Sequence, residues 1–371
     1  MTLSTRVLDL AIQIQQIPAP TFSETKRGEF VRNLFQAEGL KDVSIDALGN
    51  VFARLPGVNQ KTKALVISAH LDTVFPANAN LQVRQEAGKV FGPGIGDNSI
   101  GVAALFGILW RLREKNSSLP HDIWFAANVG EEGAGNLRGM RGVAERFGRD
   151  VIGYLVLEGL AFGHVYHSAI GVRRYLISAK TRGGHSWSDY GQPSAVHELA
   201  ALVTQLTSIR LPSKPRTTMN VGTLHGGIGV NVVAAEAKCD LDLRSEDPQT
   251  LSKVVAQVEG VITGWDHEGV KIMAEITGER PAGKIPANHG MVQLAVSCLR
   301  EQGTEAVLTS GSTDANIPLS QDIPAVVMGI TTGGGAHTLG EYIDVEPIEK
   351  GMESLTRFVE TVGELENPKN S

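Results

Sequence analysis

Apolar positions along this chain follow two rhythms, and they change near residue 168. In the first part, short continuous apolar runs alternate with stretches of helical spacing. "MTLSTRVLDLAIQIQQ" mixes Arg6 and Asp9 into an amphipathic helical pattern. "SETKRGEFVRNLFQAEG" predicts a second helix, with Phe30, Val31, Leu34 and Phe35 on one face. Ser23 is placed to cap its start and Gly39 to end it. "ALVISAH" has the length and apolarity of a buried strand, "GVAALFGILWRLRE" of a helix, and "DIWFAAN" and "YLVLEG" of two further strands. This alternation predicts a largely parallel sheet covered by helices.

After residue 168 the texture is that of half-exposed strands. "VRRYLISAKTRG" mixes polar and apolar residues, and "AKCDLDLRS" alternates strictly, with Cys239, Leu241 and Leu243 on one face. Between and after them, "SAVHELAALVTQLTSI" and "LSKVVAQVEGVITGW" are helical, and "KIMAEITG" is a strand. That is a β-α-β-β-α-β order of the ferredoxin-like type. The first rhythm resumes with "GMVQLAVSCLREQG", "AVVMGI" and "IEKGMESLTRFVETVGEL". The expectation is an α/β domain built from residues 1–167 and 283–371, interrupted by a smaller domain at 168–282.

Length agrees: 371 residues exceed what one core usually organises. A net charge of −6 leaves no basic footprint for nucleic acid. No apolar stretch approaches a membrane span, and the N-terminus lacks the pattern of a secretory leader. Cys239 and Cys298 stand far apart and form no metal or redox motif, so two buried thiols are expected. Together these point to a cytoplasmic protein.

The chemistry-bearing residues sit in loops after predicted strands or glycine runs. "ISAHLDTVFP" offers His70 and Asp72, two apart and therefore on one side of a continuing strand. In "FGPGIGDNSIGVAAL", glycines 92, 94 and 96 lead to Asp97 and a helix. A dinucleotide loop is the rival reading, but the spacing is not G-x-G-x-x-G and Asp97 would repel a phosphate. A carboxylate on a glycine loop suits a cation better. "NVGEEGAG" places Glu131 and Glu132 side by side, where one carboxylate can bind a metal while its neighbour faces water. "LVLEG" adds Glu158, and "VVMGITTGGGAHTLGEY" adds His337. Open α/β sheets bind ligands outside the carboxyl ends of their strands. Histidine and carboxylate without cysteine match zinc, or cobalt and manganese, in a catalytic site.

Taken in order, "HLDTV", "GIGDNSIG", "GEEGAG", "VLEG" and "GGGAHTLGEY", with "GGHSW" and "NVVAAEAKCDLDLR" in the insert, resemble the co-catalytic zinc metallopeptidases of clan MH. That family includes aminoacylase, glutamate carboxypeptidase, peptidase T and succinyl-diaminopimelate desuccinylase. The resemblance covers nearly the whole chain. It implies a mostly parallel sheet sandwiched by helices, with an inserted ferredoxin-like domain serving as lid and dimerisation surface. It implies two zinc ions per subunit: His70 and Glu158 on one, Glu132 and His337 on the other, and Asp97 bridging them. Asp72 would orient the His70 side, and Glu131 would act as general base on a water activated by the ions.

In the insert, the resemblance makes His185 of "KTRGGHSWSDYG" an oxyanion donor that reaches a neighbouring subunit, hence a homodimer. Asn231 and Arg244 would bind the substrate carboxylate, a task suited to the guanidinium fork. Asp314 in "TSGSTDANIP" falls on the pocket wall or just behind it. Gly130 departs from relatives that often carry an acidic or polar residue before the glutamate pair. The expected activity is hydrolysis of an amide bond in a small peptide bearing a free carboxylate. The alternative substrate is an N-acyl amino acid, since Glu158 rather than aspartate resembles the aminoacylase and carboxypeptidase branch.

Overall fold

The computed structural model describes residues 1–59 and 62–366, which form two compact units: 1–169 with 284–366, and 170–283. The first unit is built on a mixed sheet. Seven of its nine strands run in the order Lys41–Ile45, Val51–Leu55, Ile123–Asn128, Ala64–His70, Val151–Leu157, Ala325–Met328 and His164–Ala169, and Val307–Gly311 pairs with the last of these. The four from Ile123–Asn128 to Ala325–Met328 are mutually parallel, so their carboxyl ends share one edge. Ala64–His70 and Val151–Leu157 are buried almost throughout, which is why they read as unbroken apolar runs.

The helix Ile100–Glu114 is apolar on nearly every side and packs against both the helix Leu3–Gln15 and the sheet. Phe35 stacks on Phe106 with ring centroids 4.6 Å apart, joining the helix Thr25–Ala37 to this core. Thr2, not a buried residue, starts the first helix by accepting the Thr5 amide. The second helix corrects one expectation. Ser23 does not cap it; Glu24 holds the N-cap position without a side-chain cap bond. The Glu24 carboxylate instead accepts the Phe22 amide and pairs with Arg138 at 3.2 Å. Gly39 does end the helix, in the left-handed region at φ +69°.

The second unit is a four-stranded antiparallel sheet in the order Thr217–Gly226, Glu236–Ser245, Gly171–Thr181 and Val270–Arg280. Helices Ala195–Thr207 and Pro248–Thr263 cover one face, burying Leu199, Leu202, Val254 and Val258 against Cys239, Leu241 and Leu243. A two-stranded ribbon, Gly184–His185 with Val232–Val233, stands apart from that sheet. Cys239 and Cys298 are both buried and free. No helix among the described residues is long and apolar enough to cross a membrane.

Candidate metal centre

The sheet edge collects the acid- and histidine-bearing loops of the first unit. His70 is the last residue of its strand; Glu131 and Glu132 follow Ile123–Asn128, and Glu158 follows Val151–Leu157. The turn after His70 is pinned from several sides. The Leu71 amide donates to the Asn128 carbonyl at 2.7 Å, and the Leu71 carbonyl accepts from Arg27 Nη1 at 2.7 Å. Arg27 is buried, its guanidinium pushed down to about 10 by that burial despite the nearby Asp72 charge.

Asp72 then builds the glutamate turn. Its two oxygens accept the backbone amides of Glu131 at 2.9 Å and Glu132 at 3.0 Å, and the Thr21 hydroxyl donates to it at 2.9 Å. His70 Nδ1 lies 3.0 Å from the Asp72 backbone carbonyl and 3.7 Å from its carboxylate, so the carbonyl is the closer orienting partner. Gly130, just before the pair, takes φ +66°, and a Cβ there would meet Arg138 at 2.7 Å. Arg138 thus fills the space that a larger residue at position 130 would need.

Asp97 lies between the two histidines. One oxygen is 3.0 Å from His70 Nε2, the other 3.0 Å from His337 Nε2. Asn98 fastens the loop to the Glu158 strand end: its Nδ2 donates to the Leu157 carbonyl at 2.8 Å, and its Oδ1 accepts the Gly159 amide at 3.0 Å. Among the described residues, three groups bring metal-ligating atoms within 4.8 Å of one another: His70–Glu131–Glu132, His70–Asp97–Glu158 and Asp97–Glu132–His337. The last two share only Asp97.

The charges in this cluster are unbalanced. Burial and the neighbouring Asp97 push the Glu132 carboxyl up to about 7. Its Oε1 is buried without a hydrogen-bond partner among the described residues, although His337 Nε2 comes within 3.3 Å outside bonding geometry. Hydrogen bonding to Asp97 lifts His337 to about 9. Asp97 is held well below the usual carboxylate range by bonds to His337 and His70 that outweigh its burial. An orphaned carboxylate oxygen within a set of imidazole and carboxylate donors is what a cation satisfies. The residues present fit a pair of divalent ions sharing one carboxylate.

Two further acids of the first unit are fully buried. Asp314 is fully buried, accepts from Asn128 Nδ2 at 2.7 Å, and is pushed up to about 7 by burial. Glu341, which no sequence pattern singled out, is also fully buried. It receives the amides of Gly94, Gly96 and Asp97. The glycine loop does cradle an anion, as the dinucleotide rival supposed, but the anion is a side chain of the same protein. Burial lifts Glu341 to about 7 against the pull of those amides.

The remaining sequence-derived site residues belong to the second unit. The ribbon pairs His185 with Val232, which sets His185 beside Asn231; the Ser186 amide donates to the Asn231 carbonyl at 3.0 Å. His185 is exposed, and its Nδ1 accepts the Trp187 amide at 3.2 Å. The neutral ring therefore carries its proton on Nε2. Arg244 lies on a different strand, its Nε bonded to Asp242 at 2.7 Å, with Arg174 on the other oxygen of the same carboxylate at 2.8 Å.

A mostly parallel α/β sheet with histidine and carboxylate donors at its strand ends is an architecture suited to a metal site. The family described as Peptidase family M20/M25/M40 matches residues 66–361, and the chain belongs to that family. Its structure is similar to that of a tripeptidase from Staphylococcus aureus, with TM-score 0.83 and 22% identity over 97% of this chain and 99% of the other. It also resembles a dinuclear metal-binding M20 peptidase from Bacillus subtilis, with TM-score 0.69 and 16% identity over 98% and 99%. A probable carboxypeptidase of Arthroderma otae is 23% identical over 86% of this chain and 74% of its own length.

Proposed function

We propose that this protein hydrolyses an amide bond of a small peptide bearing a free carboxylate, at a centre holding two divalent ions, zinc in the first instance. The observation that carries the reading is Asp97, whose two oxygens face His70 and His337 at 3.0 Å each and which is the residue common to the His70–Asp97–Glu158 and Asp97–Glu132–His337 groups. Such a pair of ions, when bound, supplies Lewis acidity that polarises the scissile carbonyl and lowers the pKa of an attacking water. His70 and Glu158 would hold one ion and Glu132 and His337 the other, with Asp97 available to both.

The chain's own residues do the rest. Glu131 removes a proton from the water as it attacks and delivers it to the leaving amine. Asp72 fixes the direction of Glu131 by bonding its amide and that of Glu132, so base and ligand share one anchor. His185, with Nδ1 already accepting an amide, presents an Nε2 proton to the oxyanion developing in a neighbouring subunit's site, which makes the active protein a homodimer. Asn231 and Arg244 bind the substrate carboxylate, Arg244 with its Nε occupied by Asp242.

Activity of metal-replete protein on a divided panel tests the reading: free-amino di- and tripeptides against N-acetyl and N-succinyl amino acids, each with free and amidated carboxyl ends. Cleavage of free-carboxylate peptides is expected. Cleavage confined to the acyl compounds would replace the peptidase with an N-acyl amino acid deacylase using the same residues. No hydrolysis of either set would sink both.

A further inference from the structure

Three backbone amides of the Gly92–Asp97 loop converge on one carboxylate. Glu341 Oε2 accepts from Gly94 at 2.9 Å, and Oε1 accepts from Gly96 at 2.7 Å and Asp97 at 2.8 Å. The Glu341 carbonyl also accepts the Gly92 amide at 2.9 Å. Amides converging in this way form a concavity suited to an anion, such as the phosphate sites of glycine-rich loops. Here a fully buried side chain fills it, and no room is left for a phosphate.

What distinguishes Glu341 from a loop-filling acid is where its bonds end. One is to the amide of Asp97 itself, the residue whose side chain faces both histidines. The other end of the connection is covalent: Glu341 lies four residues beyond His337, in the same loop. One side chain therefore sets the spacing between two members of the Asp97–Glu132–His337 group. The His70–Asp97–Glu158 group has other supports, since His70 is held in its strand and Asn98 brackets Glu158.

We propose that Glu341 is a positioning residue of the metal centre, locking the Asp97 and His337 loops into one frame so that the ion shared by Asp97, Glu132 and His337 is held tightly. The inference rests on reading the cluster as a two-metal site. Glu341→Gln keeps the shape but turns one acceptor oxygen into an amide group facing a backbone N–H. Second-layer partners of metal ligands typically govern affinity by about 10–100-fold.

The test is titration of metal-free protein with Co²⁺, followed by calorimetry and by the visible absorption of the bound ion. The wild-type chain should take two ions. In Glu341→Gln the first should bind near its wild-type affinity and the second roughly 10–100-fold more weakly, with altered absorption of the second ion. Two ions bound with unchanged affinities and spectra would overturn the positioning role. A wild-type chain that binds no Co²⁺ would instead overturn the two-metal reading itself, a separate result. Should Glu341→Gln not fold, Glu341→Asp keeps the charge but is one methylene too short to span all three amides, and the same weakening is expected. If neither variant folds while metal-free wild type does, Glu341 is a structural residue and the proposal fails.

Discussion

Adjacent glutamates with one shared anchor divide the work by direction. Asp72 grips both amides, so a substitution at either side chain leaves the turn in place. Glu131→Gln should lower kcat by at least about 100-fold, the usual scale of general acid–base catalysis, with two metal ions still bound by elemental analysis. Loss of metal alongside activity would exchange the roles of Glu131 and Glu132. His185→Ala should lower kcat by about 100-fold or more, as removal of an oxyanion donor does, while urea unfolding stays unchanged because the side chain is exposed. Equal kinetics would remove it from the reaction. His121 gives a residue-scale prediction about stability. It is almost wholly buried, neither ring nitrogen has a hydrogen-bond partner among the described residues, and burial lowers its pKa from 6.5. The folded state thus binds fewer protons than the unfolded one below about pH 6.5, so stability falls as pH drops from there through the lowered folded value. A His121→Leu variant should lose that part of the slope in urea titrations at pH 5 to 7, and an unaltered slope would show that His121 ionises freely.

At the scale of elements, the loop leading into the helix Ile100–Glu114 shows two effects opposed. Alanine in place of Gly101 would favour the helix by about 1 kcal/mol. Its Cβ, however, would fall 2.0 Å from Asn98 Oδ1. Displacing Asn98 breaks its bonds to Leu157 and Gly159 and leaves buried groups unpaired, at about 1–3 kcal/mol each. The clash wins: Gly101→Ala should be destabilised by at least about 2 kcal/mol in urea unfolding, and a neutral or stabilising result would mean that Asn98 has room to move. Gly101 ends the motif "GIGDNSIG", yet nothing in that motif shows why a glycine stands there. The strands of the parallel sheet were legible because burial on both faces leaves an unbroken apolar run, as in Ala64–His70. The strands at sheet edges were not. Lys41–Ile45 exposes polar residues on both sides, and Thr217–Gly226 alternates only over its first half before leaving its side chains in solvent, so neither gives a sustained pattern. The ligand candidates were legible as an ordered set of loops. Glu341 was not, because a single acid after a glycine acquires its meaning only from amides some 240 positions earlier in the chain.

At the scale of the whole molecule, two cores imply two contributions to stability, and the metal cluster belongs to one of them. The residues of the first core and all the proposed ligands lie in 1–169 and 284–366; the second core draws only on 170–283. A chain with two cores need not unfold in one step. An ion that binds only the folded first unit stabilises that unit by mass action, about 2.7 kcal/mol at a free concentration 100 times its Kd. Removing the metal with a chelator should therefore lower the calorimetric transition of the first unit, and adding zinc or cobalt back should restore it. The transition of the second unit should stay in place. Trp110 and Trp124 report the first unit and Trp187 and Trp265 the second, so fluorescence of a variant with Trp187 and Trp265 replaced by Phe assigns the metal-sensitive step. A single transition that moves as a whole would mean that the two cores unfold together. Transitions indifferent to chelator and metal alike would mean that the cluster holds no ion in solution, whatever its donor geometry.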